Sequence, residues 1–451
     1  MIKKLSITIL LILMIITISY FLLLKPRLPI ITGYAAKKAC SCLFIADRPL
    51  KIIEKQDLAS SPVNFVDLKV NEKDRSVTST IFGQVPSTAK YTKGLGCSIE
   101  TTNAPKFLEF KRGDFLRNKN FPLPQQAWPL GDAIAEQQTN IDYSKLEEAF
   151  KIGFDEGDQW KKKTRALLVV QNGKLIKEKY SKGFDKDEDI LGWSMTKSIT
   201  NILMGILNKD KGLLVTQDNL FPEWKNDDRR KITLNDLMRM SSGLYWEEEY
   251  AKISPVTKML FAEPNAGQYA LEQKKEFKPG THWEYSSGTT NILSLFIRNQ
   301  FNSHTDYLAF PYRDLFNKLD MESAFLETDN SGHYVLSSYC FATPRDWAKL
   351  GLLYLNEGQW NGDTIFTKEW HDYSIQTTAD SKGAYGAQIW LNRNHVFLAD
   401  APEDMYYFSG FEGQYVIVIP HKKLVIVRMG LSKGPDFDLN NLIKNIIDAV
   451  N

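Results

Sequence analysis

Histidine and cysteine are scarce in this chain, at six and four of its 451 residues. The histidines, His282, His304, His333, His371, His395 and His421, show no metal-ligand spacing, and none lies near Cys40, Cys42 or Cys97. No metal site and no cofactor is expected from such a set. An excess of one charge is lacking too. Lys3, Lys4, Lys25 and Arg27 stand in a first stretch without acids, and beyond them 52 basic residues face 54 acidic ones. That balance excludes the basic surface on which nucleic-acid binding rests. Internal repeats and long low-complexity tracts are absent. Apolar residues at 43% and charged residues at 24% are enough to build a globular core.

One long uncharged run is present, Leu5 to Leu24. Twenty apolar residues suffice to span a bilayer as a helix. Lys3 and Lys4 before it favour a cytoplasmic N-terminus, although Lys25 and Arg27 follow on the far side. A cleaved signal peptide has a shorter apolar region and a small-residue site. The nearest small pair here is Ala35-Ala36, so the reading is an uncleaved inner-membrane anchor with the rest of the chain periplasmic. Export followed by signal cleavage is the alternative. Disulfides are permitted in that compartment. Cys40 and Cys42 alternate in a strand-like run, which puts both on one face. Cys97 can reach either and pair with one. Cys340, beside Phe341, reads as a buried free thiol.

The chain divides into residues 1–27, an anchor or signal segment; 28–140, a small loop-rich, strand-containing region with thin apolar content; and 141–451, the main domain. In the last, a helix is expected near Tyr143–Ile152. Ala166–Val170 and Leu175–Tyr180 flank an Asn172-Gly173 hairpin turn. Tyr415–Ile419 and Leu424–Met429 form a second hairpin, and Leu439–Val450 a terminal amphipathic helix. Strands at both ends with helices between them imply an α+β fold, an antiparallel sheet flanked by helices plus a helical lobe.

Within that domain, Ser194-Met195-Thr196-Lys197 opens an apolar helix marked by Ile199, Ile202, Leu203, Ile206 and Leu207. Residues three apart share a helix face, so the hydroxyl and the amine meet, a nucleophile beside its base. About two Ser-x-x-Lys matches are expected by chance in a chain of this length. The other is Ser87-Thr88-Ala89-Lys90, in a polar stretch with no apolar period behind it. Alone, the motif at Ser194 also describes a capping serine on a core helix.

Its context is specific. Leu234 to Leu244 contains Met240-Ser241-Ser242-Gly243-Leu244. Pro279-Gly280 leads into Tyr285-Ser286-Ser287 before a second apolar helix, and Ala342-Thr343-Pro344-Arg345-Asp346 opens a third. Phe408-Ser409-Gly410 precedes the strand Tyr415–Ile419. In this order the chain resembles the serine β-lactamase and penicillin-binding-protein superfamily. It is most similar to the class C-like branch, with family VIII esterases and 6-aminohexanoate-oligomer hydrolases, over roughly residues 145–451.

The resemblance implies a β-lactamase-like serine hydrolase that cleaves a small-molecule ester or amide through an acyl-Ser194 intermediate. Lys197 would act as base and Tyr285 as proton relay. The oxyanion and substrate-binding segment would be Ser409, Gly410 and Phe411, with the N–H groups of Ser194 and Phe411 as donors. Two departures stand out. Tyr285-Ser286-Ser287 lacks the usual asparagine, and Phe408 stands where the superfamily places lysine or histidine. The second weakens the alternatives of a β-lactamase or a D-alanyl-D-alanine peptidase, whose substrates carry an anionic end. A non-catalytic binding or sensor domain would have no need of the serine, lysine and tyrosine together. Trp193, Trp246, Trp283, Tyr245, Tyr269, Trp390 and Phe408 could line an apolar cleft. Glu247-Glu248-Glu249 reads as a solvated charge run.

Overall fold

Asn172 and Gly173 take φ values of 50° and 74° and turn strand Thr164–Gln171 back into Lys174–Tyr180. Positive φ at both central positions matches the twist of the paired strands. This hairpin is one edge of a six-stranded antiparallel sheet. Its order continues from Thr164–Gln171 to Leu424–Gly430, Gln414–Ile419, Tyr406–Gly410 and Trp390–Leu391. Leu168 faces Val427 across the central pairing, so the sheet is closed by segments from opposite ends of the domain. The computed structural model describes residues 25–101, 110–115, 126–134, 136–157, 160–432 and 436–450, with a few positions between 8 and 14.

Strand Thr164–Gln171 is buried at every position because both faces of the sheet are covered. Leu167, Val169, Ile417 and Ile426 lie under helices Tyr143–Gly153 and Leu439–Ala449, which contribute Leu146, Phe150, Leu442 and Ile446. Ala166, Leu168, Val416, Val425 and Val427 point the other way, into the main core. That core includes helix Thr196–Lys211, which carries the first motif, and helix Pro344–Leu355. Strand alternation thus sends successive side chains to two different cores.

The segment around Cys40 corrects the strand-like reading. Leu28–Phe44 is a 17-residue helix. Residues two apart on a helix point to nearly opposite sides. Cys40 therefore pairs with Cys97 while Cys42 remains a buried thiol. Ala35, Ala36 and Ala39 pack this helix against a four-stranded antiparallel meander, Val66–Asn71, Ser76–Ile81, Gln84–Thr92 and Gly96–Ile99. Its other side meets the main domain so closely that a Cβ on Gly33 would lie 2.2 Å from the Phe261 carbonyl oxygen. A charged seam completes the junction. Glu327 accepts from Lys37 at 2.7 Å, Ser41 at 2.9 Å and the Cys97 N–H at 2.8 Å.

Ser87 and Lys90 lie on the third meander strand, where residues three apart face opposite sides. The Ser87 hydroxyl is engaged with Thr32 Oγ1 at 2.8 Å. The uncharged run 5–24 falls almost wholly outside the described residues. Among the described residues no helix is long and apolar enough to cross a membrane.

Candidate active site

Ser194 sits in a 3₁₀ turn, Trp193–Met195, that feeds helix Thr196–Lys211. Strand Ile190–Leu191 delivers the chain to this turn by pairing with Cys340–Ala342. Gly192 is needed there, since a Cβ would lie 2.2 Å from the Trp347 ring. One helical turn on, Lys197 is 1% exposed. Its Nζ lies 3.0 Å from Ser194 Oγ, 2.9 Å from Ser287 Oγ and 2.9 Å from the Ser337 carbonyl oxygen. Burial lowers the amine to a pKa of about 8, against a smaller opposing pull from Glu248.

The hydrogen inventory gives these contacts a direction. The Ser337 carbonyl can only accept. Ser287 Oγ donates its single proton to Glu248 Oε1 at 2.5 Å, so toward Lys197 it accepts. A neutral amine has two N–H groups and one lone pair. Both N–H groups are taken, and the lone pair is left for the Ser194 hydroxyl. Ser287 stands where the resembled superfamily usually has an asparagine, and its one donor is committed to Glu248.

Tyr285 precedes helix Ser287–Arg298, whose start is capped by Ser286 Oγ accepting from the Thr289 N–H at 3.0 Å. Its ring packs on Trp390 at 4.9 Å, and Lys197 Nζ lies 4.8 Å from its centroid. Desolvation, then Glu248, pushes the phenol well above its ordinary range. The site therefore pairs a lysine disposed to lose its proton with a tyrosine disposed to keep it.

Glu248 overturns the solvated reading of the glutamate run. It is half-buried and accepts from the Ser287 N–H at 2.9 Å, Trp246 Nε1 at 2.6 Å and the Tyr250 hydroxyl at 3.2 Å. Glu247 pairs with Lys252, and Glu249 is exposed. Phe408 is fully buried and packs edge-on against Tyr354, so it does not line the cleft. Trp193 and Trp246 are likewise core residues, whereas Trp283 and Trp390 are half-buried beside Tyr285. Tyr245 and Tyr269 are also half-buried.

Ser409 is partly exposed, and a Cβ on Gly410 would lie 2.1 Å from the Gly192 carbonyl oxygen. The strand end thus abuts the Ser194 turn. Phe411 is 41% exposed and stacks on Tyr250 at 5.1 Å. Elsewhere among the described residues, Glu357, His371 and Asp372 have metal-ligand spacing. Lys368 Nζ already lies against Glu357 and Asp372, at 3.0 and 3.1 Å.

A sheet of this order behind a helix that opens on Ser-x-x-Lys defines a serine hydrolase of the β-lactamase-like fold. Residues 158–451 match the Beta-lactamase family, and the chain belongs to it. It is 22% identical over 302 residues to the 6-aminohexanoate-dimer hydrolase of Paenarthrobacter ureafaciens, covering 61% of this chain and 74% of that one. A family VIII carboxylesterase shares the fold at a TM-score of 0.54 and 13% identity, covering 70% of this chain and 98% of the other. A penicillin-binding protein homologue from Caulobacter crescentus does so at 0.55 and 12%, covering 70% and 99%.

Proposed function

We propose that the protein hydrolyses a neutral small-molecule ester or amide through an acyl-Ser194 intermediate. The observation that carries this reading is the buried Lys197 amine, 3.0 Å from Ser194 Oγ and lowered to a pKa of about 8. Ser194 passes its proton to Lys197 as Oγ forms a bond to the substrate carbonyl carbon. The Ser194 and Phe411 N–H groups stabilise the oxygen that gains charge. On collapse, the bond to the leaving group breaks. Tyr285 gives that group its proton and is resupplied by Lys197. Water then attacks the acyl-serine in the reverse sense, releases the acid and restores Ser194. Because the tyrosine resists ionisation, it serves as a relay and the lysine is the base.

The test is a fluorophosphonate label followed by mass spectrometry. Modification of Ser194 is expected. An unmodified Ser194 in folded protein would favour a non-catalytic binding or sensor domain.

The reading extends to location. Leu5–Leu24 is proposed as an inner-membrane anchor with the hydrolase domain in the periplasm, supported by Lys3 and Lys4 before it and by the Cys40–Cys97 disulfide. Cleavage at Ala35-Ala36 would cut through a buried helix, which argues for retention. The protein should stay with membranes through a carbonate wash. A mature N-terminus near Ala35–Ala39 would indicate a cleaved signal peptide instead.

A further inference from the structure

Trp193 precedes Ser194, and Glu412 follows Phe411. These two flanking residues are tied together, because Trp193 Nε1 donates to Glu412 Oε2 at 3.0 Å. Both hold left-handed backbone, with φ of 48° and 64°. Residues other than glycine keep that conformation only where their surroundings fix it.

Part of what fixes it comes from outside the family-matched residues. Lys38, on helix Leu28–Phe44, donates to the same Glu412 Oε2 at 3.1 Å. Its ammonium also lies over the Trp193 ring, 4.8 Å from the centroid. Tyr34, one turn earlier, stacks parallel to that ring at 6.4 Å, and Phe411 meets it edge-on at 5.6 Å. Lys38 is itself held in place. It is 5% exposed, and Asp57, 4.0 Å away, is fixed by Arg48 and Arg165. One buried cation therefore joins the two residues that border the two proposed oxyanion donors.

We infer that Lys38 is a positioning residue for the oxyanion hole, holding the Glu412–Trp193 hydrogen bond and through it the spacing of the Ser194 and Phe411 N–H groups. The inference rests on the active-site reading proposed above. It gives the N-terminal helix a part in the chemistry beyond attachment of the meander. Oxyanion donors act at hydrogen-bond range on charge that exists only in the transition state. A shift of about 1 Å can cost on the order of 10²-fold in rate. Loss of Lys38 should therefore fall on kcat and spare ground-state binding.

The experiment compares Lys38→Met, Lys38→Arg and Val77→Ala in the full chain, with p-nitrophenyl butyrate as substrate and phenylboronic acid as a tetrahedral analogue. Lys38→Met should lower kcat about tenfold or more, given the magnitudes for single donors. Its KM should stay within about twofold, and boronate affinity should weaken in step with kcat. Lys38→Arg should retain most of the activity. Val77→Ala opens a cavity in the core between the same helix and the meander and shares no polar partner with Lys38, so it should lower Tm and leave kcat within about twofold. Should Lys38→Met not fold, Glu412→Gln keeps an acceptor for Trp193 and loses the pairing with Lys38, with the same expected split.

Wild-type kcat in the Lys38 and Glu412 variants overturns the inference. An equal fall in Val77→Ala also overturns it, by tracing the loss to general loosening. A wild-type protein inert to both ester and fluorophosphonate overturns the active-site reading itself. That failure is distinguishable, because no variant could then differ from it.

Discussion

Lys197 and Glu248 meet through one hydroxyl: Ser287 Oγ accepts from Lys197 Nζ at 2.9 Å and donates to Glu248 Oε1 at 2.5 Å. The carboxylate is thus close enough to favour the charged amine, while burial opposes it more strongly. The balance leaves a lysine that can lose its proton near neutral pH. It also makes Glu248 a lever on the base that does not touch the nucleophile.

The first prediction is a pH profile. If Lys197 must be neutral to accept the Ser194 proton, kcat/KM should rise with pH and level off above a pKa of about 8. Removing the Glu248 charge removes the influence that raises the amine, so Glu248→Gln should move this limb to lower pH. A limb that stays in place would detach Glu248 from the lysine. Stability carries the same signature. The folded-state value lies below the ordinary 10.5, so between about pH 8 and 10.5 the folded protein binds fewer protons than the unfolded chain. Its stability should rise with pH across that window, and the cost of the buried ammonium is fully present below it. Lys197→Met should flatten the slope in a denaturant series.

The second prediction separates the two Ser-x-x-Lys motifs. Ser194→Ala should abolish acyl-enzyme formation with a short p-nitrophenyl ester. Lys197→Ala and Tyr285→Phe should each lower kcat by about 10²–10⁴-fold, the usual range for proton-transfer groups. Ser87→Ala should leave turnover alone, because that hydroxyl is bound to Thr32 on the meander. Burst kinetics on the four variants decide the matter, and near wild-type turnover in Tyr285→Phe would remove tyrosine from the proton route.

These outcomes also mark what the sequence could carry. Ser194 and Lys197 were legible because their contact is local, set by helix spacing. Tyr285 was legible only through the order of motifs. Glu248 was not, since three consecutive glutamates give no hint which one turns inward. The Ser337 carbonyl has no side-chain signal at all. The helix Leu28–Phe44 was hidden for a different reason. It is buried on several sides, and the partners that neutralise Lys37 and Lys38, Glu327 and Glu412, lie 290 and 374 residues away. A polar pair in the middle of a buried helix masks the apolar period by which helices are read.

The third prediction concerns that junction. Glu327 is fully buried and takes hydrogen bonds from Lys37, Ser41 and the Cys97 N–H. Removing one partner of a buried ion pair leaves the other charge uncompensated, at a cost of about 3–5 kcal/mol. Glu327→Ala should therefore lower unfolding free energy by about that much in urea titration, with the disulfide intact. A change under about 1 kcal/mol would mean that Lys37 finds solvent or another acceptor.

The last prediction concerns specificity. The family resemblance puts Phe408 where related enzymes are expected to carry a cation, at the start of the third box, that grips an anionic substrate end. Phe408 is buried against Tyr354, so the strand supplies no charge there. Lys38, a cation beside this segment, is already engaged by Glu412 at 3.1 Å. A carboxylate entering the cleft would lose water without gaining an ionic partner from this strand or from Lys38. Hydrogen bonds to charged groups contribute about 1.5–3 kcal/mol, so the missing partner corresponds to roughly a tenfold to 10²-fold handicap. A neutral acyl ester should therefore exceed nitrocefin in kcat/KM by about tenfold or more on the same preparation. Phe408→Lys would not by itself restore the grip, because the side chain points into the core. Nitrocefin turnover that surpasses the ester would show that another cation reaches the substrate and that Phe408 does not set the preference.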